Sequence, residues 1–155
     1  MTPVDLIDEL EKELKNIFKG NTYKTSTGKY VPLNIYQHAL PINETDDDPD
    51  RIPYLIVRLN SGKDTGTRDS NNTVKLVIII GMWDNSLNQQ GFRDVLNVIQ
   101  KIYERFQKNP NLNNKAVYDG EFDWLLQEDD YNPFFFGACS MKFSIAAIRR
   151  EDPFT

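Results

Sequence analysis

TVKLVIIIGMWDNSLNQQGFRDVLNVIQKIYERFQK, residues 73–108, carries two different periodicities in one stretch. An apolar run over 74–82 breaks at Trp83-Asp84-Asn85. From Phe92 onward the apolar residues fall at Val95, Leu96, Ile99, Ile102, Tyr103 and Phe106, while Arg93, Asp94, Asn97, Gln100, Lys101, Glu104 and Arg105 take the opposite side. That is the spacing of an amphipathic helix, and such a helix needs a sheet to cover. The middle of the apolar run, 76–80, lacks alternation, which predicts a central strand with both faces covered. No catalytic residue is needed to explain this pattern, so it is read as scaffold, and function is sought at the scaffold's surfaces.

Before this unit, Thr2 is placed to cap a first helix, with Pro3 at its first position and Asp5 completing a carboxylate variant of the capping box. The stripe Ile7, Leu10, Leu14, Ile17 and Phe18 runs up to Gly20-Asn21, a left-handed helix stop. A polar stretch to Lys29 leads to alternation over 33–41 with Pro32 near its start, and a β-rich run at 54–59 follows. Residues 60–72, with two glycines and many small polar side chains, form a connection longer than hairpins usually have. After the second helix, strands are predicted at 116–126 and 134–148. The order α-β-β-β-α-β-β, with short or medium links and two long helices, predicts an α+β fold: a mainly antiparallel sheet with both helices on one side.

The 155 residues suit one domain, 1–155. Eighteen basic against twenty-three acidic side chains give a net charge of −5, with no basic cluster, which argues against a nucleic-acid partner. No apolar run approaches the roughly 20 residues of a membrane span. A polar, charged start and a lone cysteine, Cys139, point to synthesis in the reducing cytoplasm.

Candidate chemistry is sparse. His38 and Cys139 are the only histidine and cysteine, and a surface histidine with a small buried thiol explains them as simply as a catalytic pair. Asp46, Asp48 and Asp50 alternate like calcium-loop ligands, but no glycine marks the sharp turn and no glutamate closes the loop. Glu121, Asp123, Glu128, Asp129 and Asp130 could supply paired carboxylates, yet Phe122 and Trp124 alternate with them as in a half-buried strand. Thus no catalytic, metal or cofactor residue is assigned. Three consecutive phenylalanines, Phe134, Phe135 and Phe136, must point to both faces of a strand, and the face away from the core needs cover from this chain or from a neighbouring subunit. Arg149-Arg150-Glu151-Asp152-Pro153 fits either a solvated terminus or an intersubunit ion pair.

Several of these segments, in this order, resemble the tail terminator, or tail completion, proteins of long-tailed bacteriophages and prophages of Gram-positive bacteria. They are Pro53-Tyr54-Leu55-Ile56-Val57-Arg58-Leu59-Asn60-Ser61-Gly62, the run 77–83 entering an acidic turn, Gln90-Gly91-Phe92-Arg93-Asp94-Val95-Leu96-Asn97, Phe135-Phe136-Gly137 and the double arginine. The likeness covers about two thirds of the chain. It implies a non-enzymatic virion protein, made in the host cytoplasm, that caps the tail tube as a homo-oligomeric, hexameric ring. Such a ring ends tail growth and meets the head connector. On this reading Phe134, Phe135, Phe136, Arg149 and Arg150 are expected at the subunit interface, and Lys63, Asp64, Thr65, Arg68 and Asp69 at the tube or connector. A head-completion stopper or a tail-tube protein is the alternative within the class, and a small metal-dependent acidic-site hydrolase is the alternative outside it.

Overall fold

The computed structural model describes residues 1–25, 27–40, 52–66, 72–85 and 90–145. Among them are two helices, α1 (Pro3–Ile17) and α2 (Gln90–Lys108), and eight strands: β1 (Thr22–Lys24), β2 (Tyr30–Pro32), β3 (Asn34–Gln37), β4 (Tyr54–Lys63), β5 (Asn72–Trp83), β6 (Asn111–Leu112), β7 (Ala116–Leu126) and β8 (Phe134–Ile145). The fold is α+β, as the hydrophobic patterns require. Three short strands, β1, β2 and β6, go beyond the expected order. β1 and β2 pair as a hairpin inside what reads as polar linker, because Gly28, at φ +85°, supplies the turn whatever the composition around it.

The main sheet has the order β3-β4-β5-β8-β7-β6. Its pairings are antiparallel except β3 against β4, which is parallel. β5 is central, flanked by β4 and β8. Its burial alternates, however: Leu76, Ile78 and Ile80 are fully buried, whereas Val77 and Ile79 on the other face are half-buried. The unbroken apolar run therefore does not mean equal cover on both sides.

Residues 60–63, expected in a long connection, extend β4 and pair with β5 through a register shift between Leu59 and Ser61. Ladder pairing with a strong neighbouring strand overrides the weak strand propensity of Asn60-Ser61-Gly62. The expected strand 134–148 is described as far as Ile145, and the expected strand 33–41 stops at Gln37, where His38 turns the chain at φ +65°; of that stretch only Pro41 lies outside the described residues.

Both helices cover one face. Leu6, Ile7, Leu10 and Leu14 of α1 and Val95, Val98, Ile99, Ile102 and Phe106 of α2 join Leu55, Val57, Cys139, Met141 and Phe143 of the sheet in one core. Phe106 meets Phe143 edge to face, with ring centroids 5.3 Å apart. The first helix starts as its sequence predicts: the Thr2 hydroxyl accepts from Asp5 N–H at 3.1 Å, and Thr2 N–H donates to Asp5 Oδ2 at 2.9 Å. Arg105 of α2 reaches Glu13 of α1 at 2.5 Å and also donates to the carbonyls of Asn109 and Asn111. One guanidinium thus holds both helices and the chain that enters β6.

Candidate functional site

The face of the sheet turned away from the helices is where the unusual exposure lies. β8 alternates strictly, with Phe135, Cys139, Met141, Phe143 and Ile145 buried toward the helices. Phe134 and Phe136 therefore point outward, stacked at 6.4 Å with 13° between their planes, and the Tyr131 ring meets Phe136 at 6.1 Å. Next to them on β7 stands Leu125, opposite Ala138. Exposure reaches 62% for Leu125, 53% for Tyr131 and 37% for Phe134, which makes an apolar patch at one corner of the molecule.

The expected interface trio is thereby split. Phe134 and Phe136 belong to the patch, but Phe135 is 7% exposed and lies against Gly91 at the start of α2, so it is a core residue and not an interface residue. A Cβ at position 91 would sit 2.1 Å from the Phe135 ring, so the glycine is what admits it. Arg149 and Arg150 lie outside the described residues.

The patch borders an open sheet edge. Among the described residues β6 pairs only with Ala116 and Val117, so β7 from Asp119 to Leu126 has no strand on its outer side. A bulge with Gly120 at φ +96° and the acidic side chains of Asp119, Glu121 and Asp123 mark this edge, devices that discourage indiscriminate strand pairing. Trp124, expected to be half-buried, is exposed on the helix side of β7 opposite Cys139, while Phe122 two residues earlier packs against Tyr103 at 5.2 Å.

At the same corner the start of α2 and the β7–β8 turn enclose a cleft of about 310 Å³. Buried Val95 and Phe135, with Leu126, form its apolar lining, and exposed Glu128, Asp129 and Asp130 stand at its rim. Gln127 fixes the turn, accepting from Phe136 N–H at 2.5 Å and donating to the Phe134 carbonyl.

The carboxylates considered for acid–base work are employed separately. Glu121 pairs with Lys142 at 2.7 Å, which holds its carboxyl below the usual range. Asp129 accepts from the Tyr131 hydroxyl, and Asp130 from Asn132 N–H. His38 and Cys139 are held apart: His38 N–H bonds to Val57, which pairs with Ile78, which pairs with Cys139, so three strand spacings of roughly 14 Å intervene. Burial pushes the Cys139 thiol up to about 12, which leaves it a protonated, unreactive core group. Among the described residues no three His, Cys, Asp or Glu side chains converge as metal ligands, and Asp46, Asp48 and Asp50 lie outside them. Among the described residues no helix is long and apolar enough to cross a membrane.

At the opposite end of the sheet, Lys63 closes β4, with Asp64 and Thr65 exposed just beyond it. Asp64 Oδ1 accepts from Gly66 N–H at 2.9 Å and shapes the turn. Lys63 is thus a strand residue where a loop was expected, and Arg68 and Asp69 lie outside the described residues. Leu125 is the exposed patch residue that sequence reading missed, because an apolar residue in a strand gives no sign by itself that its face is uncovered. No protein-family model and no curated protein matches this chain.

Proposed function

We propose that this chain is a ring-forming structural protein of the tail-terminator kind, which closes the end of a phage tail tube and presents a surface to the head connector. The observation that carries the reading is the exposed corner of Leu125, Tyr131 and Phe134 beside the unpaired edge of β7. Apolar surface and unsatisfied backbone groups in one place favour burial against another polypeptide. A ring joins one patch of each subunit to a different patch of the next, and the molecule offers distinct surfaces at its two ends. The β4–β5 turn with Lys63, Asp64 and Thr65, together with Arg68 and Asp69 that follow in the chain, is the surface assigned to the tube or connector. The net charge of −5 suits protein partners better than nucleic acid.

Light scattering and negative-stain imaging of the purified chain, alone and with cognate tail tubes, test the reading. The expected result is a closed ring with a central opening, in solution or on tube ends. A compact monomer under both conditions, with tubes that elongate unchecked, overturns it.

A further inference from the structure

We propose that the acidic-rimmed cleft at the β7–β8 turn receives the arginine pair Arg149-Arg150 of a second copy of this chain, so that copies join head to tail. The inference rests on the ring reading and names the contact that would make it. The cleft combines an apolar lining of Val95, Phe135 and Leu126 with three carboxylates at its mouth, and none of Glu128, Asp129 and Asp130 is ion-paired among the described residues. An arginine suits such a site, because its methylene stem lies along apolar surface while the guanidinium engages carboxylates by directional hydrogen bonds. Arg149-Arg150 is the one place in the sequence where two basic residues are adjacent.

The direction of β8 decides which copy supplies the arginines. The strand begins at the cleft, at Phe134, and ends at Ile145, beside Asn72 and Ala116 at the other end of the sheet. Ten residue steps from Phe135 to Ile145 span roughly 33 Å at the usual strand rise. Arg150 is five residues past Ile145, and a chain of that length reaches at most about 18 Å. A subunit's own arginines therefore fall short of its own cleft, even with their side chains extended. A neighbour's arginines carry no such limit, and a donor at one end with an acceptor at the other gives a self-repeating contact that closes into a ring when the rotation allows. Glu151 and Asp152 follow the arginines directly, so the segment 149–152 has no net charge. The rim repels those two acids and attracts the two arginines, which fixes one register of docking.

The test uses the full-length chain in three forms, with folding checked by circular dichroism: R149E/R150E, E128K/D129K/D130K, and both sets combined. Each single set is expected to weaken self-association in sedimentation velocity by roughly tenfold or more, since attraction becomes repulsion at desolvated charge pairs. An equimolar mixture of the two single sets is expected to restore assembly, because each tail then finds a complementary cleft on the other; the combined form should likewise assemble. Asp129 and Asp130 also shape the turn, so E128K alone, which keeps both, is expected to show the same direction of effect. If wild type forms rings and the single sets form them equally well, this contact is wrong while the ring reading stands. If wild type stays monomeric with and without tail tubes, both fall. Variants that form normal rings but no longer hold tube ends would assign the cleft to the tube protein and overturn the inference.

Discussion

Gly91 shows how a single missing atom makes room for one of three identical neighbours. Phe134, Phe135 and Phe136 are indistinguishable by residue type, and only the alternation of Met141, Phe143 and Ile145 with Ser140, Lys142 and Ser144 marks the middle one as inward. The Phe135 ring packs inward against the opening of α2, where the absence of a side chain at Gly91 leaves it room. A G91A variant forces the ring or the helix to shift, at a cost of about 1–3 kcal/mol, readable in the midpoint of a urea titration. Replacing Phe135 with aspartate removes a buried ring, worth about 3–5 kcal/mol for truncation alone, and adds a charge, against a total stability of about 5–15 kcal/mol. The F135D chain is expected to lose its far-ultraviolet signature, whereas F134D keeps it and loses association; the reverse pattern would invert the assignment of faces. The two-sidedness of this segment is legible in the sequence. So is the one that faces the core, since Phe135 shares the parity of Met141, Phe143 and Ile145; what the sequence does not show is that Gly91, more than forty residues away, makes room for its ring.

Each helix is legible for a local reason. The stripe of α1, its Thr2 cap and its Gly20 stop lie within one stretch of chain, as do the two faces of α2, so no tertiary knowledge is needed to place them. The short strands β1, β2 and β6 are less legible, since two or three residues carry no readable period and form only because partners hold them. How the helices fit together is decided by Arg105, whose partner Glu13 stands 92 residues earlier. An R105A variant abandons three hydrogen bonds and leaves Glu13 unmatched at a mostly buried junction, which should cost about 1.5–3 kcal/mol in chemical denaturation. The cap of α1 sets a pH dependence. Thr2 N–H and its hydroxyl hold the Asp5 carboxyl below the ordinary value of about 3.9, so the cap contributes fully above that pH and is lost as the pH falls through the lowered value. Protection of the first turn of α1, relative to intrinsic amide exchange at the same pH, should fall as the pH drops below about 4 in the wild type, while D5N shows low protection at every pH.

At the scale of the whole molecule, strand order is what alternation leaves open. Patterning tells each strand which face to bury and nothing about which neighbour lies beside it. The neighbour of β5 on one side is β8, paired with it residue for residue from Asn72–Ile145 to Trp83–Phe134, although α2, β6 and β7 come between them in the chain. That arrangement bears on how the protein is made. A nascent chain that has emerged only through residue 133 already carries β4, β5 and both helices, yet the widest hydrogen-bonding ladder of the sheet is still half missing. Its greasy midline is open to any strand passing by. Chains released at that point are expected to sediment with aggregates, and supplying a synthetic peptide of 134–145 during synthesis should return part of them to the supernatant. Translation therefore completes this sheet at its centre and not at its rim: the strand that arrives late is a keystone, and pauses upstream of it are the moments when the cell's chaperones have most to do.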